Sequence, residues 1–160
     1  MKTLYVLRHA KSDWNDRSLT DFERPLNERG FNAAQKMGVF MSERNLSPDL
    51  IVSSPARRAL ETARIVKETA GFSSEIVFEP RIYEASVGDL IQIVAQVKND
   101  CDRLLVVGHN PGFEELVGSL TGEFQSMPTA ALAEIELPIK DWSEIAQGGK
   151  LKNLFKPKEI

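Results

Sequence analysis

Apolar positions in this chain fall into short unbroken runs, separated by longer stretches in which they recur every three or four residues. The run Leu4–Leu7 is too short for a helix and predicts a buried strand over residues 3–8. Residues 10–25 are polar and charged, with Trp14 and Phe22 as the exceptions, and read as a loop leaving that strand. Asn27 suits a helix N-cap. Ala33, Ala34, Met37, Phe40 and Met41 follow at helical spacing, predicting a helix over 28–44 that Asn45 and Pro48 end. Residues 49–53 read as a second strand. Ser54-Pro55 then reads as a cap and first-turn proline for a helix with Ala56, Ala59, Leu60, Ala63, Val66 and Ala70 on one face and Gly71 as its stop.

Ile76–Phe78 predicts a short third strand. Ser86-Val87-Gly88-Asp89 has the form of a capping box with aspartate in the glutamate place, ahead of the helical face Leu90, Ile91, Val94 and Val97. Leu104–Val107 is a fully apolar fourth strand. Gly108-His109-Asn110-Pro111-Gly112 breaks it, with turn glycines, and opens a helix carrying Phe113, Leu116, Val117 and Leu120. Residues 131–137 alternate, which predicts a strand with one face less buried. Residues 150–155 read as a final edge strand, and the tail Lys156–Ile160 is expected to fray.

Strands alternating with helices predict right-handed βαβ units. The expected fold is therefore α/β, a three-layer αβα sandwich on a mostly parallel sheet, with 131–137 as the one antiparallel strand. No repeat, low-complexity tract or Gly/Ser-rich linker divides the sequence, and 160 residues suit one domain over 1–160. A chain of this size buries about two-thirds of its unfolded surface, enough for a core without disulfides or metal staples.

Composition narrows the function. With 42% hydrophobic and 27% charged residues and a net charge of −3, the chain has neither the basic excess of a nucleic-acid binder nor a polybasic membrane anchor. The single cysteine, Cys101, lies in a polar run and reads as incidental, consistent with a reducing compartment. The N-terminal apolar run is too short for a signal-peptide core or a membrane span, so the expected location is the cytoplasm.

Ligands of open α/β sheets bind beyond the carboxyl ends of the strands, so the loops after each strand share one edge. The first exit carries Arg8, His9, Ser12 and Asn15. The second carries Arg57 and Arg58, the third Arg81 and Glu84, and the fourth His109 and Asn110. Both histidines of the chain thus sit at strand exits among arginines, and guanidinium groups with helix N-termini suit phosphate. Taken singly, each residue also has a plainer reading. A histidine after a strand is commonly a solvated loop residue, Arg57 a solvated helix face, Glu84 a surface carboxylate and Ser54 only a cap. A metal site is the competing chemistry, but no His-Glu-x-x-His or Cys-x-x-Cys spacing occurs, and arginines beside both histidines would repel a cation. No metal and no cofactor are expected.

At this point the motifs resemble a known family. Leu7-Arg8-His9-Ala10-Lys11-Ser12 is similar to the Arg-His-Gly signature of the histidine phosphatase (phosphoglycerate-mutase-like) superfamily, departing from it at Ala10, where glycine is usual. Residues 54–63 resemble its second motif, with Arg58 on the phosphate-binding arginine. Gly108-His109-Asn110 falls on the second histidine, and Pro25–Gly30 resembles the opening of the first helix. The match runs in order from Met1 to about Leu137. The short length without a large insertion looks most like the SixA-type phosphohistidine phosphatases.

The resemblance implies that His9 attacks phosphorus and becomes a phosphohistidine, while Arg8, Arg58 and His109 hold the phosphoryl oxygens. It places Ser12 and Asn15 at positions that contact phosphate in mutase-like members, and Asn110 with them as substrate-binding. Glu84 falls where many members keep a proton donor, although SixA-type proteins do not all have one. The expected activity is metal-independent hydrolysis of a phosphate ester or phosphoramidate, with protein phosphohistidine as the leading substrate and a small phosphorylated metabolite as the alternative. A mutase is disfavoured, because little extra sequence is available to enclose a second phosphorylated substrate. A non-catalytic phosphate-binding protein on the same fold is the rival, but a pure binder has no need of a nucleophile.

Overall fold

The computed structural model describes residues 1–160. Six strands form one sheet: β1 (Lys2–Arg8), β2 (Leu50–Ser53), β3 (Glu75–Phe78), β4 (Arg103–Gly108), β5 (Leu132–Leu137) and β6 (Lys150–Phe155), in the order β3-β2-β4-β1-β5-β6. β3, β2, β4 and β1 pair in parallel, whereas β5 runs antiparallel to both β1 and β6. Four helices cover the faces: α1 (Glu28–Glu43), α2 (Arg57–Ala70), α3 (Val87–Ala95) and α4 (Gly112–Thr121).

The unbroken apolar runs have a direct cause. Successive side chains of a strand point to opposite faces, so a strand covered on both sides must be apolar at every position. On β1, Leu4 and Val6 enter a core with Leu104 and Val106 of β4, the apolar face of α3 and that of α4. Tyr5 and Leu7 enter the opposite core with Leu105, Val107 and residues of α1 and α2. This packing makes β1 and β4 rigid central strands, and their carboxyl ends deliver Arg8-His9 and Gly108-His109 side by side, since Arg8 pairs with Gly108 in register.

The helix signals at Asn27 and Ser86 hold. Asn27 accepts a hydrogen bond from the Gly30 amide at 2.8 Å, and Ser86 and Asp89 form the reciprocal box. Gly71, at φ 73°, ends α2 in the left-handed region.

Several expectations need correction. Ser54 does not cap α2, which begins at Arg57 behind Ala56 and has no side-chain cap. The Ser54 hydroxyl accepts from the Ala56 amide at 3.1 Å, ahead of the helix, and lies 2.8 Å from His109 Nε2. β5 is more buried than its alternation suggests: Glu136 alone is part-exposed on its polar face, and Glu134 is 5% exposed, held by a hydrogen bond from Asn153 of β6 at 3.0 Å. Gly108 is not a turn residue. It lies within β4, where a side chain would run into the Phe113 ring and Ile82. The tail does not fray: Pro157–Glu159 forms a 3-10 turn, Lys36 Nζ donates to the Pro157 carbonyl at 2.7 Å, and Ile160 packs against the core beneath α1. A further 3-10 segment, Trp142–Gln147, carries no periodicity that predicts it. It is anchored by the fully buried Trp142, whose indole N–H donates to the Cys101 carbonyl at 2.6 Å.

Candidate active site

His9 follows the last residue of β1 and is 7% exposed. Its backbone amide still donates to the Gly108 carbonyl at 2.9 Å, so the sheet fixes its position. Its Nδ1 lies 2.7 Å from the Ala10 carbonyl oxygen. A carbonyl only accepts, so the proton sits on Nδ1 and the lone pair is on Nε2. Burial, joined by the charges of Arg58, Arg8 and Arg24, outweighs that hydrogen bond and lowers the His9 pKa to about 4. The ring is therefore neutral at physiological pH, with a free nucleophilic nitrogen.

The segment after His9 is tied to α2. The Ala10 amide donates to Thr62 Oγ1 at 3.0 Å, and Thr62 donates in turn to the Arg58 carbonyl at 2.7 Å. Ala10 itself is fully buried. Arg58, in the first turn of α2 and 6% exposed, donates through Nη1 to the Asp21 carbonyl at 2.7 Å and through Nη2 to the Asp21 carboxylate at 3.1 Å. Arg57, by contrast, is a solvated helix residue paired with Glu61 one turn on.

His109 begins the loop between β4 and α4. Its ring centroid is 5.2 Å from that of His9, and its Nε2 lies 2.8 Å from Ser54 Oγ. Burial, then the neighbouring His9 and Arg58, pushes its pKa down to about 3. Arg8 Nη1 and Asn110 Nδ2 both donate to the Met127 carbonyl, at 2.9 and 3.0 Å, and Met127 is anchored through its amide by Glu114. Burial lowers the Arg8 pKa. Three buried nitrogens at the site have no partner in the protein: Arg8 Nε, Arg58 Nε and His109 Nδ1. Unpartnered buried polar atoms are costly, and a tetrahedral anion with several acceptor oxygens satisfies such a set.

Arg8, His9, Ser12, Arg58, His109 and Asn110 line one cavity of about 480 Å³, completed by Lys11, Trp14, Arg24, Pro128 and Thr129. Four cations and two histidines line it, and no carboxylate does. Two sequence candidates lie elsewhere. Asn15 is exposed and lines no part of this cavity; only its backbone amide is engaged, by Asp13. Glu84, also exposed and at φ 57°, lines an adjoining cavity of about 490 Å³ that shares Arg58, His109 and Asn110 and adds Asp21, Tyr83 and Glu115. A cavity of about 510 Å³ between the β2–β3 edge and α3 holds no histidine and stands apart from this chemistry.

The structure adds residues that the sequence reading passed over. Arg24, 7% exposed, donates to Ser12 Oγ at 2.9 Å and to Asp21, and its guanidinium lies 3.2 Å from the centroid of the Trp14 ring. Asp21 binds both Arg24 and Arg58 and accepts from the Tyr83 hydroxyl at 2.5 Å. Partial burial acts to raise the Asp21 carboxyl, but the Tyr83 hydrogen bond and the Arg58 charge prevail and hold it at about 2. Burial and Asp21 push Tyr83 up to about 12. The usable signal was the Thr20-x-x-Glu23 spacing, which marks the turn presenting Asp21: the Glu23 carboxylate accepts from the Thr20 amide and hydroxyl. No group of three or more His, Cys, Asp or Glu residues is placed to hold a metal ion.

Comparison with known proteins agrees with this geometry. An uncharacterized chloroplastic protein of Arabidopsis thaliana is 31% identical over 170 residues, covering 98% of this chain and 78% of that protein. A 2,3-bisphosphoglycerate-dependent phosphoglycerate mutase of Mycobacterium leprae is 40% identical over 70 residues, which is 42% of this chain and 28% of the mutase. Among solved structures, a protein assigned as the phosphohistidine phosphatase SixA of Agrobacterium tumefaciens superposes with a TM-score of 0.85 at 28% identity, covering 98% of each chain. The sequence profile of the histidine phosphatase superfamily (branch 1) matches residues 4–123. With its two histidines and its arginines gathered at one sheet edge, the chain belongs to the histidine phosphatase superfamily and is SixA-like within it.

Proposed function

We propose that the chain is a metal-independent phosphatase, a single catalytic domain over residues 1–160 acting in the cytoplasm on protein phosphohistidine. The observation that carries this reading is the state of His9: neutral, its Nδ1 proton held by the Ala10 carbonyl, its Nε2 free in a cavity of cations that lacks any carboxylate.

In the reaction, His9 Nε2 attacks phosphorus in line, and the bond from phosphorus to the leaving atom breaks with its electron pair going to the leaving group. Arg8, Arg58 and His109, which line the cavity around His9, meet the phosphoryl oxygens. Ser12 and Asn110 lie at the cavity wall, where each is oriented by its own hydrogen bond, Ser12 to Arg24 and Asn110 to the Met127 carbonyl. Water then attacks the phosphohistidine, releasing phosphate and returning the electron pair to His9. The four cations supply the positive charge that a metal contributes elsewhere.

With no acid lining the cavity, the reaction favours groups that depart without a protonated carboxyl beside them. A phosphorylated imidazole qualifies, because it can carry its own proton on the far nitrogen. A small metabolite ester is the second reading, favoured by the adjoining cavity. That cavity is lined by Arg58, His109 and Glu84, and on this reading Glu84 would serve the departing oxygen.

Turnover with EDTA present on a phosphohistidine protein, an aryl phosphate and several sugar phosphates tests the proposal. It predicts the highest kcat/KM on the phosphohistidine protein and no loss to the chelator. Preference for a sugar phosphate supports the second reading, and activity that appears only with added zinc or magnesium overturns the metal-independent mechanism.

A further inference from the structure

Trp14 is 71% exposed yet lines the phosphate cavity rather than a remote surface. An indole left in water at that position forgoes burial worth a large share of a core residue, so its presence there calls for a role. One face of the ring is taken, since the buried Arg24 guanidinium lies 3.2 Å from its centroid. That stacking pins an otherwise mobile side chain, and Arg24 is itself fixed by Asp21 and Ser12. What remains is a rigid aromatic surface at the mouth of the cavity where a phosphoryl group would sit.

We propose that Trp14 is a specificity-determining residue that stacks on a planar leaving-group ring attached to the substrate phosphorus directly or through one oxygen. This deepens the phosphatase reading above and rests on it. A second line of reasoning converges on the same substrate class. A cavity without a carboxylate favours leaving groups that depart without an acid, and imidazole and aryl oxide are both flat rings. Joined to phosphorus directly or through one oxygen, such a ring cannot lie far from the rim, and Trp14 belongs to that rim. Aromatic pairs gain from offset stacking or edge contact, independent of ring substituents to first order.

The test compares substrates that all leave readily but differ in having a ring. 4-Nitrophenyl phosphate and a phosphohistidine peptide carry one; acetyl phosphate and phosphoramidate do not. Trp14→Ala is expected to raise KM for the two ring substrates by about five- to tenfold, the range that stacking supplies, with kcat kept and the ringless pair nearly unchanged. Trp14→Phe, which retains a stacking face, should restore most of the ring preference. Equal losses on all four substrates would mean that Trp14 only steadies Arg24, and would overturn the inference. So would an unchanged KM on the ring substrates. Wild-type enzyme inert toward all four would overturn the phosphatase reading itself, a result distinct from either.

Discussion

The Asp21 carboxylate accepts four hydrogen bonds: two from Arg24 at 2.9 and 3.3 Å, one from Arg58 at 3.1 Å and one from Tyr83 at 2.5 Å. It holds two buried cations of the cavity in one arrangement, and losing it would free both guanidiniums to move. Asp21→Asn should therefore lower kcat/KM by about 10²-fold on every substrate, ringed or not, since misplacement by an ångström costs that much. Tyr83→Phe, which leaves both arginine pairs intact and removes one charge-assisted hydrogen bond, should cost less than Asp21→Asn, on the order of tenfold. Steady-state kinetics on the same panel checks both. Arg8, His9, Arg58 and His109 were legible in the sequence because each stands at or just past the end of a readable strand, or in the first turn of the helix after one. Arg24 and Asp21 were not, because the burial of Arg24 and its pairing with Asp21 arise where an aperiodic loop folds back over α2. Asn15, in that same loop, points the lesson the other way: proximity in sequence to His9 does not bring it to the cavity.

At the scale of elements, local signals read well wherever no distant partner competes. Asn27 and Ser86 cap their helices as expected, but Ser54, which carries an equally good local signal, reaches only the Ala56 amide ahead of α2 and meets His109 at the end of the neighbouring strand. Packing between elements is what the sequence least reveals, and Gly30 shows it. This buried position in the first turn of α1 lies against the backbone of Lys11, where a Cβ would collide with the Lys11 carbonyl. That same carbonyl accepts from the Asn27 amide at 3.0 Å, so the helix start and the segment after His9 are clamped together. Gly30→Ala should destabilise the fold by about 1–3 kcal/mol, the usual cost of overpacking against a fixed neighbour. It should also lower turnover by displacing Lys11 and Ser12. Urea midpoints and kcat/KM measured on the same preparation give both numbers, and a variant with wild-type values in each would mean that the clamp is slack.

The whole molecule inherits a pH dependence from its site. His9 titrates near 6.5 when unfolded and at about 4 in the folded protein, and His109 shifts in the same direction, to about 3. Between these values the unfolded chain binds more protons than the folded one, so stability is full above pH 6.5 and falls as pH drops toward 4. For His9 alone the loss across that window is on the order of 3 kcal/mol. Urea unfolding at pH 7 and pH 5 should show a drop that largely disappears when both histidines are replaced by asparagine; an equal drop in that variant would place its origin in other groups. The same neutral, tethered imidazole underlies the claim on which the rest depends, that His9 is the nucleophile. The most direct measurement is rapid quenching of the protein during turnover of a labelled phosphorylated substrate, followed by mapping of the label. The account predicts one phosphoryl group on His9, stable to alkali and lost in acid, and none on His9→Ala. Label on any other residue, or turnover that survives His9→Ala, would contradict it.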